Sequence, residues 1–197
     1  MREHGDRLLF VPKTVFMSRT LLAAIAVITL TLSGCMSTSS SKPARDLTTV
    51  KHVDLARYMG DWHVIAHIPY VLEKGKVATT DRYRLREDGK IETTFLFRKE
   101  SLDAPQKQWN GVSWVVDKTT NAEWRVQFIW PLRAAYRVLE LDADYRWAVV
   151  SSGDGDLIWI LSRARTMDDA TYTTIVEKVR SRGLGADELA RVLQPVR

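Results

Sequence analysis

Between residues 60 and 163, apolar and polar positions alternate in short runs that are separated by turn residues. Each run predicts a β-strand with one apolar face, and the short turns between them indicate antiparallel neighbours. In the third run, Ile91, Thr93, Phe95 and Phe97 share one face, and the preceding Glu-Asp-Gly-Lys segment is a hairpin signal. The eight predicted strands occupy residues 61–68, 79–86, 91–97, 109–116, 123–130, 134–141, 146–152 and 156–163.

Eight strands at this spacing favour an all-β fold. The prediction is an eight-stranded antiparallel up-and-down β-barrel, because closure removes the exposed strand edges and leaves an interior able to hold one small ligand. A two-sheet sandwich is the alternative that this pattern leaves open.

The pattern changes to helical spacing after the eighth strand. Thr166 and Asp169 resemble a capping box, and Gly183 follows a basic last turn. The sequence therefore predicts one C-terminal α-helix packed outside the barrel. The segment after Gly185 is equally compatible with a helical turn or a short extended stretch. The apolar face of the helix comprises Tyr172, Ile175, Val176 and Val179.

The front of the chain predicts a signal peptide over residues 1–34. Arg19 precedes a mostly apolar run at residues 21–32, which is too short to span a bilayer. Met17 offers a second start for the same peptide. The small residues before Cys35 resemble a bacterial lipobox, in which the cysteine is lipidated and becomes the new N-terminus. Residues 35–52 are then the lipidated N-terminus and a polar tether, and residues 53–197 are the folded domain.

Charge and cysteine content narrow the classes of partner. The full chain has a net charge of +5 and a pI near 9.4, and removal of residues 1–34, with four basic and two acidic side chains, leaves +3. Basic and acidic residues alternate without a block of like charge, so no nucleic-acid partner is predicted. Cys35 is the only cysteine, which excludes an intrachain disulfide.

The chemistry-bearing residues do not predict an enzyme. His63 and His67 lie about 13 Å apart if the first run is a strand, and both are expected to point outward, so they cannot share one metal ion. No Gly-x-Ser-x-Gly or phosphate-binding loop is found in the sequence. We therefore expect no metal, no cofactor and no catalytic site. A structural lipoprotein with a filled barrel, and a periplasmic lipid-modifying enzyme, remain the alternatives.

At three points the sequence resembles the lipocalins, in particular the bacterial outer-membrane lipocalins related to apolipoprotein D. Gly60 and Trp62 form the Gly-x-Trp signature, Asp144 and Tyr145 lie in the second signature, and Arg163 closes the last strand. The resemblance covers residues 53–195. It implies a lipid-binding barrel, anchored through Cys35 in the outer membrane and facing the periplasm. Val64 departs from the acidic residue that relatives usually carry there.

Strand parity predicts that the three signatures meet at one end of the barrel. If the first strand starts at the bottom with Trp62, the sixth strand ends and the eighth strand finishes at the same level. Arg163 is then expected to stack on the Trp62 indole and close the floor, an interaction worth about 1–2 kcal/mol when desolvated.

The opposite end is then the mouth, where the longest connections meet. We expect a single acyl chain, as a fatty acid or a lysophospholipid, to bind there with its tail towards the floor. Lys74 and Arg133 are candidates for contacts with its headgroup. The oligomeric state stays open, with a homodimer among the options. The inward positions predicted near the mouth, and hence the candidate ligand-binding residues, are Ile68, Phe95, Phe97, Phe128, Trp130 and Tyr136.

Overall fold

The computed structural model describes residues 44–195. Eight antiparallel strands follow one another around the sheet, and β1 pairs with both β2 and β8, which closes an up-and-down barrel. The barrel prediction is confirmed and the two-sheet alternative is wrong. The strands are β1 (Gly60–His67), β2 (Lys76–Leu85), β3 (Ile91–Lys99), β4 (Lys107–Val115), β5 (Glu123–Gln127), β6 (Ala134–Leu141), β7 (Trp147–Ser152), β8 (Leu157–Ser162) and β9 (Ala190–Arg191); the helices are α1 (Leu55–Tyr58) and α2 (Asp169–Ser181).

The C-terminal segment fills a gap in the barrel wall. β1 and β2 pair only between residues 60–63 and 80–83, and above this level β9 pairs with β1. The Gln194 amide nitrogen donates to the carbonyl oxygens of Val64 and Thr79, at 2.9 and 2.8 Å. The ambiguous end of the sequence therefore forms a short 3-10 turn at Ala186–Glu188 and a two-residue strand that completes the wall.

A β-bulge in β1 changes which side chains point inward. The pairing of β1 with β8 shifts register between Val64 and Ala66. Before the bulge, Trp62 and Val64 lie in the inner core cluster, whereas beyond it Ala66 and Ile68 lie in an outer cluster against α2. One extra residue reverses the parity of all that follow on the strand.

Helix α2 packs on the outside of the barrel, as predicted. Ile175 and Val179 are fully buried beside Ile158 and Ile160 of β8. The predicted cap at Thr166 is wrong: Asp168 is the N-cap, and its carboxylate accepts a hydrogen bond from the Thr171 N–H at 2.8 Å. The helix ends at Ser181, and Gly183 follows its C-cap Arg182 with a φ of +68°, in the left-handed region that glycine adopts without strain.

The segment before α1 lies against the barrel, so the predicted tether extends too far along the chain. Arg45 donates to the Asp154 carbonyl in the β7–β8 turn, and Val50 and Val53 donate backbone hydrogen bonds to Val138 and Thr120. The signal peptide and Cys35 lie outside the described residues. Within residues 44–195, no helix is long and apolar enough to cross a membrane.

Candidate functional site

The floor of the barrel is closed where α1, β1 and the end of β8 meet. The Arg163 guanidinium carbon lies 3.9 Å from the centroid of the Trp62 ring, which is the stacking that strand parity predicts. Its two terminal nitrogens donate to the carbonyl oxygens of Asp61 and Arg57, at 2.9 and 2.7 Å. Trp62 is fully buried, and its indole N–H donates to the Tyr58 carbonyl at 2.8 Å. One arginine thus joins three elements.

Glycine is required at position 60 for two reasons. Its φ is +95°, a conformation that side chains disfavour, and a Cβ there would lie 3.3 Å from the Arg163 guanidinium. Tyr145 approaches the same floor, where its hydroxyl accepts the Asp54 N–H at 2.8 Å. Asp144 is exposed in the β6–β7 turn. The residue that organises this turn is Asp142, which accepts from Arg146 at 2.8 Å and was not identified from the sequence.

Aromatic side chains fill the lower half of the barrel. The Tyr136 hydroxyl lies 2.8 Å from that of Tyr58 and accepts from Tyr83 at 3.1 Å, while its ring stacks on Trp124 at 5.0 Å. Tyr136 therefore belongs to the floor packing, and its predicted position near the mouth is wrong. All four rings lie within the core around Trp62, so side chains fill the lower half of the barrel and leave no room there for a ligand.

An aromatic wall lines one side of the upper half. Phe95 and Phe97 stack at 5.5 Å, and Trp109 lies 5.7 and 5.2 Å from them. Phe95 and Phe97 point inward as predicted, whereas Trp109 was missed although it occupies the same face of β4 as Ser113. The Lys76 ammonium lies over Phe97 and Trp109, at 4.8 and 4.5 Å from the ring centroids. The wall therefore already accommodates one cation.

The other predicted mouth residues are placed differently. Phe128 follows the end of β5, and its ring lies over Gly111. A Cβ added at Gly111 would lie 2.8 Å from the Phe128 ring. Strand β5 ends at Gln127, so Trp130 is not on an inward strand position; its side chain is 82% exposed in the following loop. Ile68 is buried in the outer cluster against α2, because the β1 bulge reverses its direction.

Opposite the aromatic wall lies a buried polar cluster. Glu73, from the β1–β2 connection, is 6% exposed, and its Oε1 accepts from the Trp159 indole at 3.1 Å and the Tyr70 hydroxyl at 3.0 Å. Its Oε2 lies 3.4 Å from Nδ1 of His67. His67 pairs with Trp159 on the inner face, so the prediction that it points outward is wrong. Burial lowers the pKa of His67 and raises that of Glu73.

A second carboxylate, that of Asp81, also faces the interior. Asp81 lies opposite Trp62 on β1 and Phe95 on β3, both of which point inward. Burial, with a smaller contribution from the charge of Glu73, raises the pKa of Asp81 to about 7. The sequence could have indicated this inward position, because Asp81 alternates with Tyr83 and Leu85 and therefore lies on the same face of the second predicted strand.

The remaining chemistry-bearing residues lie outside the interior. His63 faces away from it, with Nδ1 2.9 Å from the Thr80 hydroxyl, so the two histidines of β1 lie on opposite faces of the wall. Lys74 is exposed in the β1–β2 connection. The Arg133 guanidinium lies 5.3 Å from the ring of Trp114, whose position on β4 faces outward, so Arg133 does not reach into the mouth.

Comparisons with known proteins agree with this geometry. The family described as a lipocalin-like domain matches residues 53–194. The outer membrane lipoprotein Blc of Escherichia coli is 31% identical over 160 residues, covering 80% of this chain and 88% of its own length. Apolipoprotein D of Mus musculus is 29% identical over 148 residues, covering 71% and 76%.

Solved structures show the same fold. The cockroach allergen Per a 4 superposes with a TM-score of 0.58 at 22% identity, covering 77% of this chain and 96% of its own. Insecticyanin from the tobacco hornworm Manduca sexta superposes with a TM-score of 0.60 at 19% identity, covering 75% and 84%.

Proposed function

The chain belongs to the lipocalin family, and on this premise we propose that it is an outer-membrane lipoprotein whose barrel binds one single-chain lipid. The observation that carries the proposal is the inward-facing aromatic wall of Phe95, Phe97 and Trp109, which lies above a filled floor and beneath the mouth loops. Ligand pockets of this kind bury most of a ligand against apolar side chains. A fatty acid or a lysophospholipid fits this description, and the role is binding rather than catalysis.

Anchoring through an acylated Cys35 is supported by the position of Arg45. Arg45 contacts the β7–β8 turn at the mouth, and nine residues separate it from Cys35. Nine extended residues span at most about 30 Å, so the anchor would hold the mouth close to the bilayer on its periplasmic face. The mouth loops suit this position because they expose large apolar side chains: Val71, Leu72, Ile129, Trp130 and Leu132, each more than half exposed.

Titration with lysophospholipids of increasing chain length tests the binding function. Each methylene buried in the barrel contributes about 0.8 kcal/mol, so affinity should rise about fourfold per methylene until the upper half is full. Tryptophan fluorescence of the mature chain carrying Cys35→Ser reports binding. The lipid concentrations must stay below micelle formation.

Two tryptophans of β4 provide a matched pair of variants. Trp109→Ala should weaken binding at least tenfold because it removes part of the inner wall. Trp114→Ala, on the outward face of the same strand, should leave affinity within about twofold. A response that is flat across chain length, in a chain whose fold is verified by circular dichroism, would refute lipid binding and favour a filled structural barrel.

A further inference from the structure

A groove of about 260 Å³ crosses the outer wall of the barrel over β1, β2 and β3. Its base is one cross-strand row, in which Thr80 pairs with His63 on one side and with Leu96 on the other. All three side chains are buried although they face away from the interior. They are buried because the β3–β4 connection, the segment after β8 and the C-terminal segment form a rim around them.

Arginine side chains lie on both sides of this row. Arg82 is two positions from Thr80 towards the floor, and Arg98 is two positions from Leu96 towards the mouth. Each therefore lies about 7 Å from the row along its own strand, so both guanidinium groups can reach a ligand held there. Arg165, which follows β8, is the third arginine of the lining.

The charge of the groove is not balanced by its own acids. Asp61 is the one carboxylate that lines it, and both carboxylate oxygens accept from Arg82, at 2.5 and 2.8 Å. Within residues 44–195, this is the only ion pair that Arg82, Arg98 or Arg165 forms. Three arginines and one carboxylate leave a net charge of +2 when His63 is neutral.

His63 is neutral at physiological pH and adds a polar group to the base of the groove. Burial, together with the nearby charge of Arg165, lowers the pKa of His63. Its Nδ1 lies 2.9 Å from the Thr80 hydroxyl, which leaves the other ring nitrogen for a further hydrogen bond. Arg98 donates from one terminal nitrogen to the Ala104 carbonyl, which holds the β3–β4 connection at the rim and leaves its other N–H groups available.

These features select a small dianion. The planar guanidinium group pairs with phosphate through two parallel hydrogen bonds. A phosphate monoester carries a charge of about −1.5 to −2 at neutral pH, which matches the excess charge of the groove, whereas a carboxylate carries one charge. The volume lies below the roughly 300–1,000 Å³ of pockets for drug-sized ligands, so the rest of the ligand must be small. Leu96, Leu102 and Ala78 offer an apolar surface to its carbon atoms.

We propose that this outer groove binds a phosphate monoester group, held by Arg98 and Arg165 on either side and by Arg82, which Asp61 positions. The site lies on the opposite face of the wall from Phe95 and Phe97, so it is separate from the barrel interior and does not depend on the ligand proposed there. The phosphate belongs either to a small soluble ester or to a lipid headgroup, and the experiments below distinguish these two sources.

Calorimetric titration with glycerol 3-phosphate, inorganic phosphate, acetate and glycerol tests the ligand class. The protein is the mature chain carrying Cys35→Ser, at neutral pH and low ionic strength. We expect both phosphates to bind, acetate to bind at least tenfold more weakly and glycerol not to bind. Added salt should weaken the binding, because the arginines are accessible to solvent. Absence of binding by both phosphates overturns the proposal, and so does acetate binding as tight as that of phosphate.

Substitutions at the two arginines without an acidic partner test the assignment. Arg98→Gln with Arg165→Gln should weaken the binding of glycerol 3-phosphate at least tenfold. Because Arg98 also holds the β3–β4 connection, Arg165→Gln alone is the second variant and should weaken binding at least threefold. The control is Arg84→Gln, on the same outer face of β2 but paired with Glu92, which should stay within about twofold. Circular dichroism verifies each fold, and unchanged affinity in both groove variants overturns the assignment.

Sedimentation with phosphatidylcholine vesicles that contain or lack phosphatidate identifies the source of the phosphate. Phosphatidate carries its phosphate as a monoester at the membrane surface. Recruitment that requires phosphatidate and is lost in the double arginine variant assigns the groove to a lipid headgroup. Binding of glycerol 3-phosphate without recruitment to either vesicle assigns it to a soluble ester. Absence of both overturns the phosphate site and leaves the lipid-binding function of the barrel intact.

Discussion

At the scale of single residues, Asp81 has an unfavourable position for a charged group. Its side chain faces the interior between Trp62 and Phe95, and burial, together with the charge of Glu73, raises its pKa from 3.8 to about 7. A raised pKa means that the folded state binds the proton more tightly than the unfolded state does. The resulting contribution to stability is complete below pH 3.8 and is lost as the pH rises through about 7.

Asp81→Asn should therefore stabilise the ligand-free protein at neutral and alkaline pH. Relative to the unmodified chain, the gain in unfolding free energy should be small at pH 4 and grow to at most about 4 kcal/mol at pH 8. Urea unfolding at pH 4, 6 and 8 measures the difference in unfolding free energy between the variant and the unmodified chain. Asp61 and Asp142 have the opposite pH dependence, because Arg82 and Arg146 lower their pKa values, but their contribution is the same in both chains and cancels in the difference. The exposed acid Asp103 serves as control through Asp103→Asn. A gain that is independent of pH contradicts the buried, proton-binding state of Asp81.

At the scale of secondary-structure elements, the floor depends on a contact between the end of β8 and the start of β1. Arg163, after β8, stacks on Trp62 of β1 and donates to the last turn of α1. Trp62→Ala should lower the unfolding free energy by roughly 3–5 kcal/mol, as for other buried aromatic side chains. Arg163→Ala should cost less. A double-mutant cycle should show coupling of about 1–2 kcal/mol, because each side chain loses its partner in the other variant.

The control for this cycle is Arg165→Ala, because Arg165 is an exposed arginine two residues beyond Arg163. Its effect should add to that of Trp62→Ala without coupling. Chemical denaturation of the four chains in each cycle gives the values. Strictly additive losses for Trp62 and Arg163 would show that the stacking does not stabilise the floor.

The same element scale shows what the sequence could predict. Alternation predicted all eight strands, and parity placed Trp62 and Arg163 together, because most strands bury only one face. Alternation failed to predict the inward side chains of β1, where Val64, Ile65 and Ala66 are all buried. Because α2 covers the outer face of the barrel there, both faces of the strand are apolar and the sequence does not reveal the bulge. His67 and Ile68 were misassigned for that reason. Glu73 gave no signal, because a loop has no periodicity to show which of its side chains turns inward.

At the scale of the whole molecule, the proposed anchor and the apolar loops lie at the same end of the barrel. The described chain begins beside the β7–β8 turn, runs down the outer wall and passes under the floor before entering β1. With the proposed anchor at Cys35, this path would keep the signature residues away from the membrane and bring the mouth towards it. A lipid could then pass between bilayer and barrel without crossing water, which would remove the largest barrier to transfer of an apolar chain.

Trp130 provides a direct measurement of this arrangement. Its side chain is 82% exposed in the β5–β6 loop, so brominated phospholipids should quench its fluorescence when the acylated protein is reconstituted in vesicles. Trp130→Phe should remove most of the quenching, because Trp130 is the most exposed tryptophan of the described residues, whereas Trp109, at 38%, lines the inner wall and Trp62 and Trp124 are fully buried at the floor. Cys35→Ser should remove it too, since a few exposed apolar side chains cannot replace the buried methylenes of an acyl anchor. If Trp130→Phe leaves the quenching unchanged while Cys35→Ser abolishes it, the anchor holds the barrel in another orientation and the mouth does not face the bilayer.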